Sequence, residues 1–284
     1  MKKAIALIAL LVCALARPAF TQQPPPPPAP PAPAKLQVLI ITGQHQHDWK
    51  GTTPVLRKIL EDTGKFEVRV TEEFRGAGPE TLAPYDVVVV NYSDTGRPER
   101  RWGPRADAAL VDFVKAGKGL VVYHFAMQAF AGWTEYEQMS AANWRPNFGH
   151  HSAPHDYTVK ITDTEHPITK GLKLEFVQTN DELYANLQWQ PAGTYHVLAT
   201  AYDDHALYAA SRTDARAPQP LEGPGANENM LWTVDYGKGR VFTTALGHVA
   251  PNLATPAFQV TFARGVEWAA TGKVTQAIPP EMAK

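Results

Sequence analysis

The sequence predicts an α/β domain: an open, mostly parallel β-sheet covered by helices on both faces, with an added β-hairpin. Three observations carry this reading. Several short apolar runs, among them LQVLIIT (Leu36–Thr42) and YDVVVVN (Tyr85–Asn91), do not alternate, as expected of strands buried on both faces. Segments with helical spacing and clear start or stop residues separate these runs. The order is strand, helix, strand throughout the first half, which builds parallel sheets.

Taken in order, Leu36–Thr42 is the first strand, followed by a polar loop. A helix then starts with Thr53 as cap and Pro54 at its first position, runs to about Thr63 and stops at Gly64. FEVRV (Phe66–Val70) and Tyr85–Asn91 are strands, and RADAALVDFVKAG (Arg105–Gly117) is a helix. The next strand, in GKGLVVYHFA (Gly117–Ala126), runs directly into His124. Residues 127–156 lose the regular pattern but are too aromatic for a linker. YTVKI (Tyr157–Ile161) and YHVLATAY (Tyr195–Tyr202) are strands, and Thr213–Asn229 is a Pro/Gly-rich excursion. MLWTVDYGKGRVFTTAL (Met230–Leu246) is a hairpin turning at Gly237-Lys238-Gly239. The last helix is capped by Thr255, begins with Pro256 and ends before Gly272.

The chain has 284 residues, 44% hydrophobic and 19% charged, with a formal net charge of −1. That is enough for one sizeable core, and the balance of charge argues against nucleic acid as a partner. Lys2 and Lys3 precede an apolar run, Ala4–Ala16, too short for a permanent membrane span. Residues 1–21 are therefore expected to be a signal peptide, cleaved after Ala16 or Thr21, so that the protein is exported to the periplasm or beyond. Residues 22–34 form a Pro/Ala-rich linker, 35–274 the folded domain and 275–284 a C-terminal tail. The only cysteine, Cys13, lies in the apolar run, and Val12 before it departs from a lipidation signal. Once the peptide is removed no thiol remains, which excludes disulfides, thiolate nucleophiles and Cys-ligated zinc.

In open parallel sheets, ligands bind beyond the carboxyl ends of the strands. The polar residues there are His45, His47, Asp48 and Trp49 after the first strand, then Asn91 to Asp94, then Tyr123 and His124, then Gly247 and His248. Imidazole suits acid–base chemistry near neutral pH, and His124 and His248 follow apolar strands directly. Asp48 also fits as a cap, and His45 as a surface residue, because alternation in His-Gln-His aims the two rings apart. FGHHSAPHDY holds His150, His151 and His155 without the spacing of a closed zinc motif, and is expected to lend one or two rings to a pocket from a lid-like loop. His166, His196 and His205 read as turn, structural or exposed residues. NDELY (Asn180–Tyr184) supplies an acid pair, Asp181 and Glu182, of which one is expected to face the site. Neither GxGxxG nor GxxxxGK[ST] occurs, so no nucleotide cofactor is expected.

VLIITGQHQHDW, GKGLVVYHFA, HPITKGL, DELY and GKGRVFTTALGH, in this order from Leu36 to Gly272, resemble the trehalose-utilisation (ThuA-like) family. The resemblance implies a flavodoxin-like, class I glutamine-amidotransferase-like fold. In amidotransferases a cysteine stands where this chain has His124, so amidotransfer and cysteine peptidase activity are not expected. What is implied is a carbohydrate-active enzyme (a hydrolase, lyase or isomerase) acting on a 3-keto sugar or glycoside. The other reading is a non-catalytic carbohydrate-binding module that lost its nucleophile. Carried over, His47, His124, Asp181, Glu182 and His248 are pocket residues, with His124, His248, Asp181 and Glu182 the catalytic candidates. The strand-end and loop reading adds Asp48, Trp49, Asn91, Tyr123, His151 and His155 to His47 as substrate-binding residues. Trp133, Tyr136, Trp144 and Phe148, in a long aromatic stretch outside the family pattern, either stack on sugar faces or pack beneath a lid. His47, His124 and His248 follow three different strands and are candidate ligands of a divalent metal ion, with His151 or His155 reaching in. The oligomeric state is left open.

Overall fold

The structure, a computed structural model, describes residues 34–43, 45–210 and 225–284. The expected signal peptide, nearly all of the expected Pro/Ala linker, Cys13 and most of the Pro/Gly-rich excursion lie outside these residues. In chain order the elements are β1 (Leu36–Gly43), α1 (Trp49–Asp62), β2 (Phe66–Thr71), α2 (Pro79–Leu82), β3 (Val87–Tyr92), α3 (Pro104–Lys115) and β4 (Gly119–Tyr123). A 3-10 turn over His124–Gln128 leads to α4 (Thr134–Ser140), β5 (Ala142–Asn143), β6 (His150–His151), β7 (His155–Ile161) and β8 (Glu175–Asp181). Then come β9 (Tyr184–Ala185), β10 (Gln188–Trp189), β11 (His196–Asp203), α5 (Ala206–Ala210), β12 (Ala226–Tyr236), β13 (Gly239–Thr244) and α6 (Pro256–Thr271).

The main sheet has nine strands in the order β2-β1-β3-β4-β13-β12-β11-β7-β8. From β2 to β13 every pair is parallel, and from β13 to β8 every pair is antiparallel. The predicted hairpin is thus built into the sheet. Its second arm, β13, is the fifth parallel strand, and its first arm, β12, opens the antiparallel wing. β3 and β4 are buried at every position, which is why their sequences do not alternate.

Two glycines show how closely helices cover both faces. Gly119 on β4 lies opposite Arg240, so Gly239, one residue away, points to the other face. A Cβ on Gly119 would come within 2.5 Å of the Ala269 backbone in α6, and one on Gly239 within 2.0 Å of the Val114 carbonyl in α3. Side chains at either position would hold the helices off the sheet.

α1 differs from expectation at its start. It begins at Trp49, five residues before Pro54, because the Asp48 carboxylate accepts the Gly51 N–H and caps the helix there. Pro54 lies inside, where it leaves only the Lys50 carbonyl without its usual partner. β8 was not evident in the sequence. Its Glu175–Asp181 stretch is polar because it forms the sheet edge, and only Phe176, Gln178 and Asp181 are buried. The last residues pack rather than trail. Met282 is buried, and Glu267 accepts the N–H groups of Thr275 and Gln276. No described helix is long and apolar enough to cross a membrane.

Candidate active site

His47, Asn91, His124 and His248 stand at or beyond the ends of β1, β3, β4 and β13, four neighbouring parallel strands. Their shared rim is completed from the antiparallel wing. β8 ends at Asp181, and the chain then carries Glu182 and Tyr184 across the mouth of the parallel half. Alternation in an extended segment places residues two apart on one side, and both side chains point into the cluster.

The Glu182 carboxylate is its centre. Oε2 lies 3.4 Å from His47 Nε2 and 3.8 Å from His124 Nε2, and Oε1 lies 3.3 Å from His248 Nδ1 and 3.6 Å from His151 Nδ1. Four imidazoles therefore surround one buried carboxylate. Burial alone would raise Glu182, but the neighbouring imidazoles, His124 and then His47 foremost, hold it well below the usual carboxylate range. Burial pushes His47 down to about 4, helped by His124 and His248 and opposed by Glu182. His45 falls to about 4 through burial and the neighbouring His47, and burial also lowers His248. At neutral pH the carboxylate is ionised and these three rings are neutral.

His124 stands at a left-handed φ of 43° on the turn out of β4, the position to which the resemblance assigns the amidotransferase cysteine. It is 1% exposed. Nδ1 lies 2.6 Å from the Ala245 carbonyl, which can only accept, so Nδ1 carries the proton. Nε2 pairs with the Tyr184 hydroxyl at 2.9 Å. Burial raises Tyr184 well above its ordinary range and keeps it a phenol. With both nitrogens engaged and no path to solvent, His124 stands beneath the site.

Asp181 turns away from the cluster. It is fully buried and accepts the backbone N–H groups of Glu182, Gly247 and His248 at 2.7–2.9 Å, and the Gln178 amide at 2.8 Å. Its work is to hold the Gly247–His248 turn. Gly247, at φ 103°, leaves no room for a side chain against Tyr123 and Phe258, and Tyr123 donates to its carbonyl. Of the acid pair, Glu182 faces the imidazoles and Asp181 positions one of them.

The other predicted residues divide. Asn91 is buried, donates to Thr52 and Thr53 on α1, and accepts from His45 Nε2 at 3.2 Å. His45 is not a surface residue: residues 45–47 bend rather than alternate, and both rings pack on Phe125, at 5.1 and 3.9 Å. Trp49 and His45 border a cavity of about 680 Å³ shared with Thr42, Lys50, Thr53 and Arg97. His47, Glu182 and His248 do not line that cavity, and His45 connects it to the cluster. Asp48 caps α1, and Tyr123 supports Gly247. His155 bonds to Ser152 and Ala153 away from Glu182. His150 points to the opposite side of β6, 3.6 Å from the buried Asp203. Trp133 and Tyr136 pack with Phe130 in the core, whereas Trp144 flanks the site, 5.1 Å from Tyr184 and 5.8 Å from His151. Tyr184, Phe125 and Gln178 were not singled out in the sequence. Tyr184 was readable, since Asp-Glu-Leu-Tyr sets it two residues from Glu182.

Fold and site together define an amidotransferase-like α/β protein in which a buried histidine at the end of β4 lies beneath a carboxylate ringed by imidazoles. The chain belongs to the ThuA family, described as trehalose utilisation, which matches residues 37–269. It is similar to a ThuA-like protein from Parabacteroides merdae ATCC 43184, with 30% identity, a TM-score of 0.73, and coverage of 88% of this chain and 95% of that one. A ThuA-like protein from Bacteroides uniformis ATCC 8492 follows at 19% identity and a TM-score of 0.59, over 87% and 96% of the two chains. The carbohydrate deacetylase Agd3 shares the fold at 11% identity and a TM-score of 0.50, over 86% of this chain and 33% of its own. No curated protein matches the chain.

Proposed function

We propose that this protein is an exported enzyme acting on a sugar or glycoside, with the Glu182 cluster as its reaction centre. One observation carries the reading: a single buried carboxylate lies among four imidazoles, of which His47, His151 and His248 reach solvent. The family's association with trehalose utilisation supports a carbohydrate substrate. In a 3-keto sugar the C–H beside the carbonyl is acidified, and a neutral imidazole suffices to take its proton. His151 is suited to this. Its Nδ1 donates to the Ser152 carbonyl at 2.7 Å, which leaves the Nε2 lone pair free. The electron pair of the broken C–H bond moves onto the carbonyl oxygen. The imidazolium formed at His151 is stabilised by Glu182 Oε1, 3.6 Å away. His124 and Asp181 act as positioning residues, the first through Tyr184 and the second through the His248 backbone.

The test is a screen of 3-keto and unmodified disaccharides read by mass spectrometry. Glu182→Gln and His151→Ala are expected to lower turnover by roughly 10²–10⁴-fold on the active substrate while leaving its binding within a few-fold. A wild-type chain that binds such sugars and never converts one would make it a binding module instead. Export rests on the Lys2-Lys3 start, the apolar run and the proline-rich linker. Protein from the native host is expected to begin between Arg17 and Gln22, and N-terminal sequencing that returns Met1 would refute export.

A further inference from the structure

Glu182 is 6% exposed, and no Lys or Arg among the described residues lies within 4.0 Å of it. A buried carboxylate without a permanent cation is costly unless it is paired or coordinates a metal. The contacts it does make are long. A charge-assisted N–H···O bond closes to about 2.7–2.9 Å, whereas His47 Nε2 and His248 Nδ1 stop at 3.4 and 3.3 Å. Those separations, one to each carboxylate oxygen, are nearer to the spacing of ligands around one metal ion. With metal–ligand bonds of about 2.0–2.2 Å, neighbouring ligands of a tetrahedral ion lie roughly 3.3–3.6 Å apart. One ligand atom each from His47, Glu182 and His248 falls within a group in which no two are more than 4.8 Å apart.

We propose that His47 Nε2, His248 Nδ1 and the Glu182 carboxylate bind one first-row divalent cation, with zinc suited by the donor set. Two histidines and one glutamate are a donor set of catalytic rather than structural zinc sites, because the fourth position stays open. Here the open side is that of His47 and His248, which are partly exposed, while Glu182 lies beneath them. Two features hold the ligands in place: Asp181 fixes the His248 backbone at 2.9 Å, and Phe125 packs on the His47 ring at 3.9 Å. His124 is not among the three. Its nitrogens are committed to Ala245 and Tyr184, so it supports the site from below. The proposal rests on the cluster being the reaction centre and adds its ion, which would polarise a substrate oxygen while His151 remains free to take a proton.

The test uses the untagged full-length protein, stripped with chelator and titrated calorimetrically with zinc chloride, with Co²⁺ as a spectroscopic probe. One equivalent of zinc per chain and the intense visible bands of tetrahedral cobalt are expected. Glu182→Gln and His248→Ala, each checked for native circular dichroism, are expected to weaken zinc by at least the roughly 10–100-fold that loss of an outer-shell partner costs. His196→Ala, on the surface beside Asp163, is expected to leave it unchanged. Substoichiometric zinc, or unchanged affinity in both site variants, overturns the proposal. Full sugar turnover by stripped protein also overturns it and leaves the sugar reading standing. Stoichiometric zinc in a chain that converts no sugar supports the site and counts against the sugar reading alone.

Discussion

Asp181 and Glu182 are adjacent carboxylates with opposite tasks, and the difference lies in who donates to them. Asp181 is filled by three backbone N–H groups and an amide, so its charge is spent on geometry. Replacing it by Asn swaps one acceptor for a donor and sets an NH₂ against at least one buried N–H. The expected cost is about 1–3 kcal/mol in urea unfolding, together with weakened function through displacement of His248. An Asp181→Asn protein of unchanged stability would show that the turn is held by other contacts. At this scale the rule that polar residues gather past parallel strands put His47, His124 and His248 at one rim, and the structure brings their rings together. Whether Asp181 or Glu182 faced that rim was not legible, because it depends on Asn180, which adopts a left-handed φ of 46° and resets the alternation.

Among the elements, those buried on both faces were the easiest to read. β1, β3 and β4 are short β-branched runs with one plausible fate, whereas β8 carries Glu, Gln, Thr, Asn and Asp because solvent covers one of its sides. The start of α1 was misplaced because Pro54 is a strong initiation signal and Asp48 a stronger cap. Close packing of α6 on the sheet gives a direct check of the layer arrangement. Gly119→Ala sets a Cβ against backbone rather than against a movable side chain, so no rotamer change relieves it. A loss of about 1–3 kcal/mol is expected from thermal or urea unfolding, and a neutral result would mean that α6 shifts freely over β4.

For the molecule as a whole, acid stability has a contributor outside the cluster. His166 is lowered to about 4, chiefly by burial and by the nearby His196, against Asp163 and Asp235, which raise it. Its ring packs 4.9 Å from Trp268, and its Nδ1 accepts the Ile168 N–H at 3.2 Å, a bond that needs the unprotonated nitrogen. The folded value lies below the ordinary 6.5, so the unfolded chain takes up the proton first. This contribution is complete above pH 6.5 and is lost as pH falls from there towards 4. His166→Asn keeps an acceptor and removes the titration, so its unfolding free energy is expected to depend less steeply on pH over that window. Parallel wild-type and variant curves would refute the assignment.

The site draws on both halves of the sheet, and that has a consequence for how the chain becomes competent. His47 and Glu182 are 135 residues apart, Asp181 and His248 67, and His124 and Tyr184 60. No fragment that stops before Gly247 contains the cluster, and none that begins after His47 does either. Such long-range pairings are slow to form, because loop closure must come before any contact rewards it. Each nascent chain therefore lacks the cluster until nearly all of it has been made and the antiparallel wing has joined the parallel strands. Under the export proposed above, that delay keeps the imidazoles apart while the chain is still being threaded out of the cell.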